Sequence, residues 1–336
     1  MTARVSRRRM LVAAGVGLGA LAEGAKSPVL AQGNVAAPGP PWSAEYAARK
    51  GDVSLAMYRK RTGAPRAGER PLPVLFLVHG SSISAKPTFD LTVPGKGEYS
   101  LMNVFAGYGF DVWTMDHEGY GKSTRTGGNS DIASGVEDLK AASEVVARET
   151  GQPRVHFYGS SSGALRAAAF AMARPERVDR LILGAFTWTG KGSPTLGKRA
   201  EQIEYFRTHN RRPRGRDMIR SIFTRDKPGT SDPAVAEALA DAELQFGDTI
   251  PTGTYLDMTT NLPVVDPLRV KSPVLMVRGE YDGIATEEDL LEFFRRLPNL
   301  DRQFIVLAGG SHSVGLGLTR AQLWHVIRAF LTMPAA

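Results

Sequence analysis

The sequence predicts an α/β fold: a doubly wound, mostly parallel sheet with an inserted helical lid. Three observations predict it. Short apolar runs of strand length recur along the chain, amphipathic stretches of helix length separate them, and one long stretch interrupts the alternation. Several of the apolar runs are continuous rather than alternating, as expected of parallel strands covered by helices on both faces. Alternating strands and helices then assemble into a doubly wound sheet.

A chain of 336 residues, 42% hydrophobic and 23% charged, is long enough for one large domain of this kind with an insertion. The first segment in chain order stands outside that domain. Ser6-Arg7-Arg8-Arg9-Met10-Leu11 leads into a Gly-rich apolar run from Leu11 to Ala22, which has the form of a twin-arginine export signal. As a helix this run would span roughly 20 Å, short of a hydrocarbon core of about 30 Å, and Glu23 interrupts it. No stable membrane anchor is expected. Val29-Leu30-Ala31 offers small residues to a signal peptidase, so the expected mature chain starts near Gln32 and is periplasmic or secreted, with the twin-arginine machinery as partner of the precursor. Arg4, Arg7, Arg8, Arg9 and Lys26 against Glu23 carry half of the formal charge of +8, and the remaining bias is too weak to argue for nucleic acid. The absence of cysteine excludes disulfides, thiol catalysis and Cys-ligated metals.

After the Pro-, Ala- and Gly-rich lead at Ala36 to Pro41, strands are expected near Leu55 to Tyr58, Val74 to Val78, Asp111 to Met115, Val155 to Tyr158, Leu181 to Leu183, Val274 to Val277 and Phe304 to Leu307. Helical spacing marks Ile132 to Glu149, Ala164 to Ala173, Glu287 to Leu297 and Arg320 to Leu331. From about Thr187 to Val265 no strong strand run appears, while polar helix-like segments such as Ala200 to Thr208 and Ala234 to Leu244 do. The expected organisation is therefore a signal peptide at 1–31, a core at 42–186 and 266–336, and a lid at 187–265. The lid carries Arg207, Arg211, Arg212, Arg214, Arg216 and Arg220, whose ordinary reading is a solvated face and whose alternative is recognition of an anionic substrate. Trp188, Phe206, Phe223 and Tyr255 are candidates for an apolar pocket, although aromatic residues in helical segments more often serve packing.

The sharpest local signal is Val155-His156-Phe157-Tyr158-Gly159-Ser160-Ser161-Ser162-Gly163-Ala164, a strand entering Gly-x-Ser-x-Gly and then a helix. So tight a turn requires residues without bulk two before and two after the nucleophile, which singles out Ser161 over Ser160 and Ser162. The pentapeptide alone is weak, and its strand-turn-helix context raises it. Ser162 contributes its backbone N–H to half of an oxyanion hole. The other half is expected from Val78-His79-Gly80-Ser81-Ser82, at the Ser81 N–H, with Ser82 as the alternative.

In this the chain resembles the α/β-hydrolase superfamily from about Val53 to the C-terminus. Four ordered matches carry the resemblance: His79-Gly80, Asp116-His117-Glu118-Gly119-Tyr120-Gly121-Lys122-Ser123, the Gly159 to Gly163 elbow, and a late acid followed by a histidine. The resemblance implies the chain order Ser, then Asp or Glu, then His. His312, in Gly309-Gly310-Ser311-His312-Ser313, holds the position of the family's histidine loop. Of the other five histidines, His79 belongs to the oxyanion-loop motif, His156 to a strand, His117 to a loop, and His209 and His325 to the lid and a surface helix. Asp282, third after Gly279 in Val277-Arg278-Gly279-Glu280-Tyr281-Asp282-Gly283, is the expected acid, and Glu280 is the runner-up. Asp266 and Asp289 fit less well, and the Asp116/Glu118 pair reads as a structural turn at the pocket edge.

The expected chemistry is acyl transfer from a small-molecule carboxylic ester, or a lactone, through an acyl-Ser161 intermediate. Amidase or peptidase chemistry, carbon–carbon bond hydrolysis, or a non-catalytic periplasmic binding protein on the same scaffold are the alternatives. The Gly-Gly-Pro-Gly oxyanion motif of proline iminopeptidases is replaced here by Gly80-Ser81-Ser82. No phosphate loop, dinucleotide fingerprint or His-Glu-x-x-His motif occurs, so neither cofactor nor metal is expected.

Overall fold

A computed structural model describes residues 41–334 of the chain, so the twin-arginine segment at 1–31 lies outside the described residues. The described residues open with strands β1 (Trp42–Lys50), β2 (Val53–Arg61) and β3 (Val74–Val78), short helices α1 (Ala85–Phe89) and α2 (Leu101–Gly107), and β4 (Asp111–Met115). It continues through α3 (Ile132–Thr150), β5 (Val155–Ser160), α4 (Ser162–Ala173) and β6 (Val178–Gly184). The insertion follows as α5 (Pro194–Ala200), α6 (Ile203–Thr208), β7 (Arg211–Pro213), α7 (Arg216–Thr224), α8 (Pro233–Leu244), β8 (Thr249–Pro251) and α9 (Gly253–Thr260). Strand β9 (Val274–Gly279), α10 (Glu287–Arg296), β10 (Arg302–Leu307) and α11 (Arg320–Leu331) complete the fold.

The eight-stranded sheet has the order β1-β2-β4-β3-β5-β6-β9-β10, with β2 antiparallel to both its neighbours and every other pairing parallel. Successive side chains of a strand point to opposite faces. Accordingly Val74, Phe76 and Val78 pack under α3, α4 and α10, while Leu75 and Leu77 pack under α1, α2 and α11. Both faces are thus apolar, which is why β3 is buried at every position.

The sequence reading missed β1. Its burial alternates between half-buried and exposed residues, and its inward positions include small alanines, so it forms no apolar run. It also missed α1 and α2, five and seven residues long and too short to display a helical period. The region without strong strand runs contains a small antiparallel ribbon, β7 with β8, three residues each. Among the described residues no helix is long and apolar enough to cross a membrane.

Helices α7 and α8 of the insertion bury their apolar stripes against Ile83, Leu91, Val93 and Tyr99, which lie on the loops leaving β3. The insertion also holds those loops through a buried ion pair. Arg214 binds Glu243 of α8, and the same carboxylate accepts the Ser84 N–H at 3.0 Å and its Oγ–H at 2.6 Å.

Candidate active site

The turn between β5 and α4 puts Ser161 at φ 58°, ψ −126°, a strained conformation for a residue with a side chain. The flanking glycines explain how the turn closes. A Cβ on Gly163 would lie 2.2 Å from the Val78 carbonyl oxygen, and one on Gly159 would lie 2.4 Å from the Gly163 carbonyl oxygen. Backbone atoms at those distances cannot move aside as a flexible side chain would. The Ser161 N–H is tied to the Gly184 carbonyl at 2.8 Å, so the hydroxyl projects beyond the strand ends from a fixed base.

Two loops meet this hydroxyl. The loop after β10 brings His312 Nε2 to 3.0 Å from Ser161 Oγ, and the loop after β9 brings Asp282 Oδ1 to 2.9 Å from His312 Nδ1. Asp282 is 2% exposed, and its Oδ1 also accepts the Ile284 N–H at 2.9 Å. Burial works to raise the pKa of this carboxyl, but the charge and hydrogen bond of His312 outweigh it and hold the group below its ordinary value. Glu280, the other acidic candidate, turns away and accepts the Gly309 N–H. Asp289 binds the N–H groups of Trp188 and Thr189, and Asp266 caps a single helical turn. A carboxylate on the insertion joins the site from outside: Asp226 accepts the His312 backbone N–H at 3.2 Å.

The oxyanion candidates lie on the facing wall. Ser81, Ser82 and Ser161 line one pocket, and the N–H groups of Ser81, Ser82 and Ser162 have no acceptor among the described residues. The Ser81 hydroxyl donates to Ser162 Oγ at 2.8 Å, and the Ser81 carbonyl accepts the Tyr120 hydroxyl at 2.9 Å. The first contact pins the loop to the elbow and the second to the loop after β4. Behind it, His79 Nε2 accepts the His117 N–H, and His117 Nδ1 meets the Asp138 carboxylate at 3.0 Å. Burial holds His79 and His117 neutral, with His117 pulled down to about 4. The remaining histidines stand apart from Ser161: His156 beside Asp179, His209 stacked on Tyr205, and His325 on α11. Asp116 is buried and accepts the Tyr58 hydroxyl and the Ala85 and Lys122 N–H groups, a turn-forming role.

Two cavities adjoin here, sharing Ser82, Arg199, Ile222 and Arg225, and Ser161 lines the first. The first, about 100 Å³, has Ser161 and His312 at its base and apolar walls that include Phe89, Leu101, Phe223 and Leu239. The second, about 660 Å³, is a polar vestibule bordered by the insertion and by Tyr281 and Gly283. Of the four aromatic candidates, Phe223 lines the first cavity and Tyr255 the second, whereas Trp188 and Phe206 are core residues. The arginine cluster divides. Arg216 and Arg220 pair with Glu237 at the surface, Arg207 is exposed, Arg211 binds Thr249 and the Gly119 carbonyl, Arg214 is buried with Glu243, and Arg212 alone of the six lines the vestibule. Sequence reasoning missed Arg199 and Arg225, which line both cavities, because nothing in the spacing of α5 or α7 distinguishes them from surface cations. Among the described residues no cluster of three His, Cys, Asp or Glu side chains is arranged to hold a metal ion.

Comparison with known proteins adds the family. Residues 95–316 match the family described as serine aminopeptidase, S33. The chain belongs to this S33 family. Two curated relatives are both named 2-hydroxy-6-oxononadienedioate/2-hydroxy-6-oxononatrienedioate hydrolase. The one from Paraburkholderia phymatum is 32% identical over 40% of this chain and 41% of its own length. The one from Burkholderia vietnamiensis is 26% identical over 68% of this chain and 77% of its own length. Among solved structures, a bromoperoxidase from Bacillus anthracis superposes with a TM-score of 0.63 at 16% identity, covering 86% of this chain and all of that one. A 2-hydroxy-6-oxo-6-phenylhexa-2,4-dienoate hydrolase from Rhodococcus superposes with a TM-score of 0.61 at 17% identity, covering 87% of this chain and all of the other. These likenesses establish the α/β-hydrolase fold for this S33 member.

Proposed function

We propose that this S33 member is a serine hydrolase in which Ser161 is the nucleophile, His312 the base and Asp282 the acid that orients it, and that it cleaves a carboxylic ester or lactone. The observation that carries this reading is the unbroken chain of contacts from Ser161 Oγ through both ring nitrogens of His312 to a buried Asp282, at the base of a cavity. His312 Nε2 takes the serine proton as Oγ attacks the substrate carbonyl carbon, and Asp282 stabilises the imidazolium so formed. The oxyanion of the tetrahedral intermediate sits on the N–H groups of Ser81 and Ser162. His312 then returns the proton to the departing alkoxide, leaving acyl-Ser161, which water hydrolyses by the same proton path. On this reading residues 187–265 act as a lid over the acyl-binding cavity.

A second reading, carbon–carbon bond hydrolysis on the same triad, has specific support in the names of the two curated relatives, both 2-hydroxy-6-oxononadienedioate/2-hydroxy-6-oxononatrienedioate hydrolases. The deciding experiment compares kcat/KM for p-nitrophenyl esters of increasing acyl length with that for 2-hydroxy-6-oxononadienedioate. We expect the short esters to be cleaved faster; a dienedioate turned over at least tenfold faster than every ester would replace the first reading with the second.

The twin-arginine form of Ser6 to Leu11 is the basis for proposing export to the periplasm. Replacing Arg7 and Arg8 together by lysine should leave the precursor in the cytoplasmic fraction. Export undiminished in that variant would remove this part of the proposal.

A further inference from the structure

The vestibule that adjoins the Ser161 cavity holds more positive charge than its surroundings neutralise. Lys198, Arg199, Arg212 and Arg225 border it, against Glu201 and Asp226. Glu201 is exposed, and Asp226 is already engaged by the His312 N–H and lies 3.7 Å from Arg225. Arg199 is the anomaly. It forms no hydrogen bond or ion pair with any described residue, and its Nη1 is shut off from solvent without an acceptor. Its only directed contact is with the ring of Tyr255, 4.9 Å from the centroid, and the Arg212 guanidinium lies at the same distance from that ring. A cation–π contact recovers part of the hydration a guanidinium gives up, yet it leaves the in-plane N–H donors unused. Burial and the neighbouring Arg225 act together against the charge, drawing the Arg199 pKa down to about 10.

Arg199 is half-buried, and holding its solvent-shut N–H donor unpaired among like charges is costly; the arrangement becomes favourable once an anion supplies the missing acceptors. The planar fork of a guanidinium matches a carboxylate, which can accept two parallel N–H bonds. Arg199 and Arg225 are also the cations common to both cavities, so an anion held there lies next to the bond under attack.

We propose that Arg199, seconded by Arg225, is a carboxylate-binding site, and that the substrate of this enzyme carries a free carboxylate within a few bonds of the scissile carbonyl. This rests on the hydrolase reading above and narrows its substrate class to monoanionic acyl compounds. Arg212 and Lys198 supply the field that draws the anion into the vestibule.

The test pairs monomethyl glutarate with dimethyl glutarate, which share a chain and differ in one charge. The wild-type enzyme should favour the monoanion at least tenfold in kcat/KM, and the preference should shrink as salt is raised. Arg199→Met should collapse the ratio of the two esters towards one, mainly through KM for the monoanion, while Arg199→Lys should keep part of it. Measurable and equal rates on the two esters by wild type, or an equal loss on both in Arg199→Met, overturns the proposal. Calorimetry of glutarate with Ser161→Ala gives a readout independent of turnover. Binding that is lost when Arg199→Met is added supports the carboxylate site even if neither ester is cleaved, in which case only the ester reading fails. No binding to Ser161→Ala overturns the site.

Discussion

Replacing Ser161 by alanine should lower kcat for the best ester by roughly four to six orders of magnitude, and His312→Ala should do the same. The reason is geometric. The Ser161 hydroxyl is 3.0 Å from a single base, and no other histidine reaches it. If the two groups act in one proton transfer, as proposed, the double variant should be no slower than either single one. Asp282→Asn should cost roughly 10⁴-fold with the fold intact, since an amide can offer its N–H to His312 Nδ1 and so select the tautomer that cannot accept the serine proton. Steady-state kinetics, with unfolding curves as a control for structure, measures all four variants. Ser161→Ala retaining more than about one hundredth of wild-type turnover would assign the nucleophile elsewhere.

The second large effect is on stability. Glu243→Ala should destabilise the protein by about 3–5 kcal/mol, read from the urea midpoint at unchanged slope. The substitution leaves Arg214, which is 2% exposed, without its counter-charge and strips the acceptor from the Ser84 N–H and Oγ–H. A control separates the unpaired charge from the lost packing. Arg214→Met combined with Glu243→Leu should recover much of the loss, because two apolar groups in place of a buried ion pair incur no desolvation. A loss under 1 kcal/mol in Glu243→Ala would mean that the pair contributes little to joining α8 and the β3 loop.

How much of this was legible beforehand follows from where each signal is stored. The elbow was legible because its requirement is local: Gly159 and Gly163 are forced by contacts with backbone within a few residues in space and sequence, or with β3 alongside. Strands β3 and β4 were readable to their end residues because both faces are covered: β3 forms an unbroken apolar run, and β4 carries Val112, Trp113 and Met115 with only Asp111 and Thr114 between or before them. Strand β1 was not, because an edge strand with one exposed face needs only intermittent apolar residues. Glu243 left a trace that could have been found. It falls on the stripe Val235, Ala236, Leu239 and Ala240 of α8, and a charge on a buried helical face demands a partner. Arg199 left none. Its neighbours Arg212, Arg225 and Tyr255 arrive from other parts of the insertion, and only the folded chain shows that its donors are unmatched.

The Asp226 contact bears on how such an enzyme changes its diet. The insertion invites treatment as an exchangeable cassette, to be swapped between relatives to transplant substrate range. Yet the His312 loop rests on a carboxylate that belongs to the cassette, so a transplant that omits it also removes a support of the proposed base. Recombinants that carry a foreign segment but preserve an acid at position 226 should be the ones that keep turnover, and substrate range and competence are in that sense inherited together.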